Sequence, residues 1–168
     1  MLETCIGCGA RLEKSDGAVH KYMRSSASCF AAFNCLLVEE YSSRALKDVH
    51  RLTVDTWAVQ HPGPVDSKQA TQSVGLHLAR IYLQLQSPRA PRETNAVMLD
   101  FSRHKGTLKF LTPPATFGVT VADVAPFAGS SSHAERVRHW AEATWRDWST
   151  HHDYIRNWIT DHSGYCTG

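Results

Sequence analysis

Cys5-Ile6-Gly7-Cys8-Gly9 is the sequence of a tight metal-binding turn. Two residues between the cysteines let both thiolates reach one ion, and the glycines let backbone N–H groups face the sulfurs. It is half of a site. No second C-x-x-C follows, so the remaining ligands come from elsewhere, and Cys29 and His20 are the nearest candidates. Cys29 falls in the first turn of an expected helix, where the helix dipole favours a thiolate. The expected metal set is therefore Cys5, Cys8, His20 and Cys29. Zinc is the expected ion; another transition metal, a catalytic metal or reduced redox thiols are the alternatives. A thioredoxin-type role is disfavoured on context, because no strand is expected before the motif. Cys35, mid-helix among apolar residues, reads as a buried free thiol, and Cys166 lies in a glycine-flanked tail.

Histidine is the second source of chemistry, with ten in 168 residues. In "HRLTVDTWAVQHPG", His50 and His61 return to nearly the same helical face but stand about 16.5 Å apart along the axis. They cannot clamp one ion. His50, on a stripe with Val54 and Trp57, and His77, one turn from Ile81, are expected to face the interior. The pair His151-His152 must turn at least one ring inward. With Asp55, Asp153 or Glu39 nearby, inward His50, His77 and His151 or His152 are candidates for a shared metal site in the core, and His50, Asp55, His61 and His77 for a polar pocket in which a water or small ligand is activated. The plainer alternative is that each is a hydrogen-bonded core residue, since no H-x-x-x-H or E-x-x-H pair is present. His104, His133, His139 and His162 have polar surroundings and are expected to face solvent.

The elements that must position these residues are helices. Residues 1–24 carry the turn formers "CIGCG" and "SDG" and read as an irregular or short-hairpin, zinc-knuckle-like arm. A first helix is expected over about 27–42, with Ser25 or Ser26 as N-cap and Phe30, Phe33, Leu37 and Tyr41 at helical spacing. A second starts near Arg44 and is stopped by His61-Pro62-Gly63. Asp66 or Ser67 caps a third, with Val74, Leu78, Ile81 and Leu85 on one stripe, and a fourth runs from after Pro91 to before Gly106. Residues 107–119 are expected to be an ordered connection over the core, followed by a capped turn, "TVADVAPF". One long final helix is expected over about 132–160, its seam formed by Val137, Ala141, Thr144, Trp148, Ile155 and Trp158. The fold class is all-α, a five- or six-helix bundle in a single domain: arm 1–24, bundle 25–162 and tail 163–168.

A net charge of +2 without a basic run disfavours nucleic acid as partner. No stretch approaches the roughly 20 apolar residues of a membrane span, and the first residues do not pattern as a signal peptide. With five cysteines, an odd number, reduced thiols and a cytoplasmic location are expected. Tryptophans 140, 145, 148 and 158 at helical spacing read as core before they read as a ligand cavity.

The chain resembles a family of uncharacterised bacterial proteins, catalogued as a domain of unknown function. The resemblance rests on Cys5 to Gly9, the block from His20 to Cys29, the block from His50 to Pro62, and Gln72 to Leu78. It implies that Cys5, Cys8, His20, Cys29, His50, Asp55, His61 and His77 are the residues to examine. It implies no reaction. Two functions stand: a metal-binding helical protein, metal-dependent in its action on a small molecule, or a non-catalytic binding or regulatory module with a structural zinc.

Overall fold

The computed structural model describes residues 1–86 and 91–163, so the expectation for Cys166 lies outside the described residues. The arm is the short hairpin: β1 (Leu2–Thr4) pairs antiparallel with β2 (Arg11–Glu13), and the C-x-x-C turn joins them, so a strand does precede the motif, contrary to expectation, but it leads into a second strand and not into the helix that a thioredoxin-type site uses. The amide of Cys5 donates to the carbonyl of Ala10 at 2.8 Å, and Gly9, at φ 77°, turns the chain back. Ser28, at the start of the next helix, donates to Glu3 and holds the hairpin to the bundle.

Helix α1 (Ala27–Ser42) begins where Ser26 accepts from the amide of Cys29. Its inward face is carried by Cys29, Phe33, Leu36 and Glu40, and Tyr41 is exposed. Cys35 is exposed as well, contrary to the expectation of a buried thiol, because it lies on the face opposite Phe33 and Leu36. A single tight turn (Arg44–Leu46) precedes α2 (Lys47–Gln60). From Leu52 to Gln60, α2 is buried at every position except Val54, which makes it the central helix, packed against α1, α3 and α6. The stacking of Trp57 on Phe33, 4.4 Å apart and 14° from parallel, fixes α2 against α1.

Helix α3 (Lys68–Gln86) is capped by Ser67, and Val74, Leu78 and Ile81 are buried along its stripe. Gly75 lets the connection close over it: a Cβ there would lie 2.7 Å from Leu108. Helix α4 (Pro91–His104) places Val97 and Phe101 in the same core. The connection is ordered over that core as expected, with Leu108 and Leu111 buried and Trp158 donating to Thr107, although Phe110 faces outward. The single-turn helix α5 (Val121–Val124) starts with Thr120 and Asp123 capping each other.

The expected long final helix is two helices, α6 (His133–Asp147) and α7 (His152–His162), separated by a tight turn at Ser149–His151. A side-chain contact accompanies the break. His152 donates from Nε2 to the carbonyl of Trp145 at 2.7 Å and lies flat on its indole, with ring centres 3.9 Å apart. The imidazole thus shares with the amide of Trp148 a carbonyl that a continuing helix would have bonded to residue 149. The seam residues remain buried on both sides of the break, since the turn redirects the chain without rotating its apolar face away from the core.

Candidate metal centre

Four side chains from three elements meet beneath the hairpin. Cys5 and Cys8 come from the turn, Cys29 from the first turn of α1, and His61 from the residue that ends α2; all are buried. Their ligating atoms lie within 4.8 Å of one another. The separations are 3.8 Å between the sulfurs of Cys8 and Cys29, and 3.2 and 3.5 Å from His61 Nε2 to those of Cys29 and Cys5. A tetrahedral zinc with ordinary bond lengths requires edges of about 3.8 Å between sulfurs and about 3.6 Å between sulfur and nitrogen. The four groups therefore have the spacing to hold one ion.

Local structure explains why His61 arrives with the correct nitrogen forward. Pro62 prevents α2 from continuing, and the His61 amide closes the helix on the carbonyl of Ala58. The His61 ring folds back along the last turn, stacks on Trp57 at 4.2 Å, and donates Nδ1–H to the Trp57 carbonyl at 2.6 Å. With Nδ1 committed as donor, Nε2 carries the lone pair that a metal takes. Gly7 permits the approach: a Cβ there would stand 2.2 Å from the carbonyl oxygen of Arg24 and 2.6 Å from the His61 ring.

The electrostatics are those of crowded thiols. The Cys5 thiol is held far below its ordinary value, first by the hydrogen bond from Cys29 and then by that from Cys8. The same contact with Cys5 pushes Cys29 far above it, helped by contact with Cys8 and by burial. For Cys8 the contact with Cys29 lowers the value, but contact with Cys5, burial and the Cys5 charge outweigh it and push the thiol up to about 12. The site accommodates one thiolate without a cation, and a divalent ion would let all three ionise. The amide of Ser26, 3.4 Å from the Cys5 sulfur, supplies an N–H to that charge.

Of the residues expected to bind metal, Cys5, Cys8 and Cys29 come together and His20 stands outside the cluster. Its Nδ1 accepts from the amides of Met23 and Tyr22 at 3.2 and 3.4 Å, and its ring packs against Phe30 and Trp57. Burial, followed by the nearby His61, lowers its pKa, which suits a neutral acceptor. His61 takes the fourth place. The signal available in the sequence was its position directly before Pro62, one turn beyond Trp57.

The chain belongs to the DUF5946 family. The model of this family of unknown function matches residues 3–149, which include all four clustered groups. No curated protein and no solved structure matches the chain.

The other candidate residues of this family member fall into separate sites. His50 donates from Nδ1 to Glu40, and His77 donates from Nδ1 to Asp55. Among the described residues, His50, His77 and His152 join no metal-sized cluster. His133, expected at the surface, is fully buried. Its Nδ1 accepts from the amide of Gly129 and its Nε2 donates to Glu40, each at 3.0 Å, so both polar atoms are satisfied inside the core. Glu40 thereby joins α1 to His50 and Thr53 of α2 and to His133 of α6. No described helix is long and apolar enough to cross a membrane.

Proposed function

We propose that Cys5, Cys8, Cys29 and His61 bind one zinc ion in a closed structural site, and that the protein is a zinc-stabilised helical module rather than a metalloenzyme. The closed four-group cluster carries this reading. A catalytic zinc keeps one position for water or substrate, whereas here three thiols and one imidazole, all buried, would fill all four positions around an ion. The ion would join the hairpin to the start of α1 and the end of α2, three segments far apart in sequence. Binding of this kind contributes on the order of 10 kcal/mol to folding at neutral pH. Three reduced thiols at one centre also fit a cytoplasmic location.

Metal analysis of the purified protein tests the reading, with one zinc per chain expected. Replacement by Co(II) should give the strong visible bands and thiolate charge transfer of a tetrahedral centre with three sulfur ligands and one nitrogen. Absence of metal from protein prepared under reducing conditions, or a six-coordinate cobalt spectrum, would overturn it.

A further inference from the structure

Asp55, fully buried in the middle of α2, collects donors from one face of α3. Arg80 reaches both carboxylate oxygens through Nε, at 2.8 and 2.7 Å, and contacts Oδ1 again through Nη2. Gln84 Nε2 donates to Oδ2 at 2.8 Å, and His77 donates Nδ1–H to Oδ1 at 2.7 Å. A guanidinium alone can satisfy and neutralise a buried carboxylate through a bidentate pair. A clamp between α2 and α3 does not need the histidine.

What the histidine adds faces outward. With Nδ1 held as donor, the lone pair is on Nε2, the arrangement by which a buried carboxylate sets the tautomer of an imidazole. Among the described residues neither His77 Nε2 nor Arg80 Nη1 has a hydrogen-bond partner, and neither is a buried unpaired atom, so both reach solvent. The two side chains are 19% and 16% exposed and meet at 3.5 Å between Nη2 and Nδ1. Of the two outward atoms one is an acceptor and the other a donor, and both side chains are anchored on the buried carboxylate of Asp55.

We propose that His77 and Arg80, oriented by Asp55, bind a small anion carrying an O–H beside its charged oxygen, as hydrogen phosphate and 2-hydroxycarboxylates do. The hydroxyl donates to His77 Nε2 while an anionic oxygen accepts from Arg80 Nη1. A simple carboxylate lacks the first of these bonds. The exposed charges on the turns of α2 before Asp55, Arg51 and Asp48, are of opposite sign. Recognition therefore rests on the paired hydrogen bonds more than on net charge, and millimolar affinity is expected.

The test is a titration of the full-length protein, labelled with 15N in its histidine rings, followed by NMR. Phosphate, glycolate and acetate are added separately, with ionic strength held constant by chloride. Saturable shifts of the His77 Nε2 resonance are expected with phosphate, glycolate or both. The arm that responds identifies the source of the anion, and acetate should bind at least tenfold more weakly. His77→Asn keeps an N–H donor for Asp55 and removes Nε2, so it should melt near the wild-type temperature and lose the saturable binding. The proposal fails if acetate binds as well as glycolate, if His77 does not respond to phosphate or glycolate, or if folded His77→Asn binds as before. Should that variant not fold, the wild-type titration with its acetate control decides alone.

Discussion

His61 donates Nδ1–H to the carbonyl of Trp57, one helical turn back, and its opposite nitrogen faces the sulfurs of Cys29 and Cys5. The helix end therefore does two things with one ring. It satisfies a carbonyl that the stop at Pro62 would otherwise strand, and it presents a lone pair of fixed direction to the thiol cluster.

Ligand identity follows from this relationship. His61→Ala should abolish stoichiometric zinc and loosen the hairpin, seen as a fall in melting temperature that added chelator does not deepen. His20→Ala should keep one zinc per chain, because His20 supports the arm through the amides of Tyr22 and Met23 and stands outside the cluster. Metal analysis of the two variants distinguishes them, and loss of zinc from His20→Ala alone would contradict the ligand set.

Gly7→Ala tests the close approach of the turn to α2. The added methyl meets a backbone carbonyl and the His61 ring, neither of which is a flexible side-chain end. Overpacking of this kind costs roughly 1–3 kcal/mol. Zinc affinity measured by chelator competition should fall by about tenfold or more, while Gly17→Ala, with open space around its Cβ, should leave it unchanged.

Proton release on metal binding has a definite sign. In the metal-free protein Cys5 lies well below the ordinary thiol value, whereas Cys8 and Cys29 lie above it and hold their protons near neutrality. Zinc must displace those two protons, so affinity falls as pH falls, by about 100-fold per unit between pH 8 and 7. Calorimetry in buffers of different ionisation enthalpy counts the protons, and a count near zero would contradict this titration order.

Among the described residues, the buried carboxylate of Glu40 has His50, His133 and Thr53 as hydrogen-bond partners and no lysine or arginine. Glu40→Gln removes an acceptor and turns an amide N–H towards a donor. The expected loss of stability is about 2 kcal/mol, the scale for leaving a buried hydrogen-bonding group without its partner. Urea unfolding measures it, and a variant as stable as wild type would show that the network carries little.

His20 supplies an acid-side contribution to stability. Its folded-state pKa is depressed below 6.5 by burial and then by His61, so its contribution is present above the unfolded-state value and is lost as pH falls through the folded one. In His20→Asn, Oδ1 can accept in place of Nδ1 without titrating. Its melting temperature should fall less than that of wild type between pH 6.5 and pH 5.

Much of the helical framework was legible locally. The starts of α1 and α3 at Ser26 and Ser67, and the end of α2 at Pro62, follow from the N-capping hydroxyls and from the N–H that proline lacks. The break at Trp148 was not legible, because the contact that accompanies it is an imidazole reaching a carbonyl seven residues back in a packed turn. The exposure of Cys35 was lost for a related reason: apolar neighbours in sequence do not reveal which face of α1 the core covers.

The centre divides along the same line. By itself the sequence determined that Cys5 and Cys8 share one turn, because the C-x-x-C spacing is a local constraint. It also determined that His50 and His61 cannot share an ion, because helical rise separates them. Only the tertiary structure decided that His61, at the far end of α2, completes the set in place of the nearby His20. It alone decided that His50 and His133 share Glu40 while His77 meets Asp55. Ligation depends on where side-chain atoms converge, and convergence between distant segments is set by how α1, α2 and the hairpin pack.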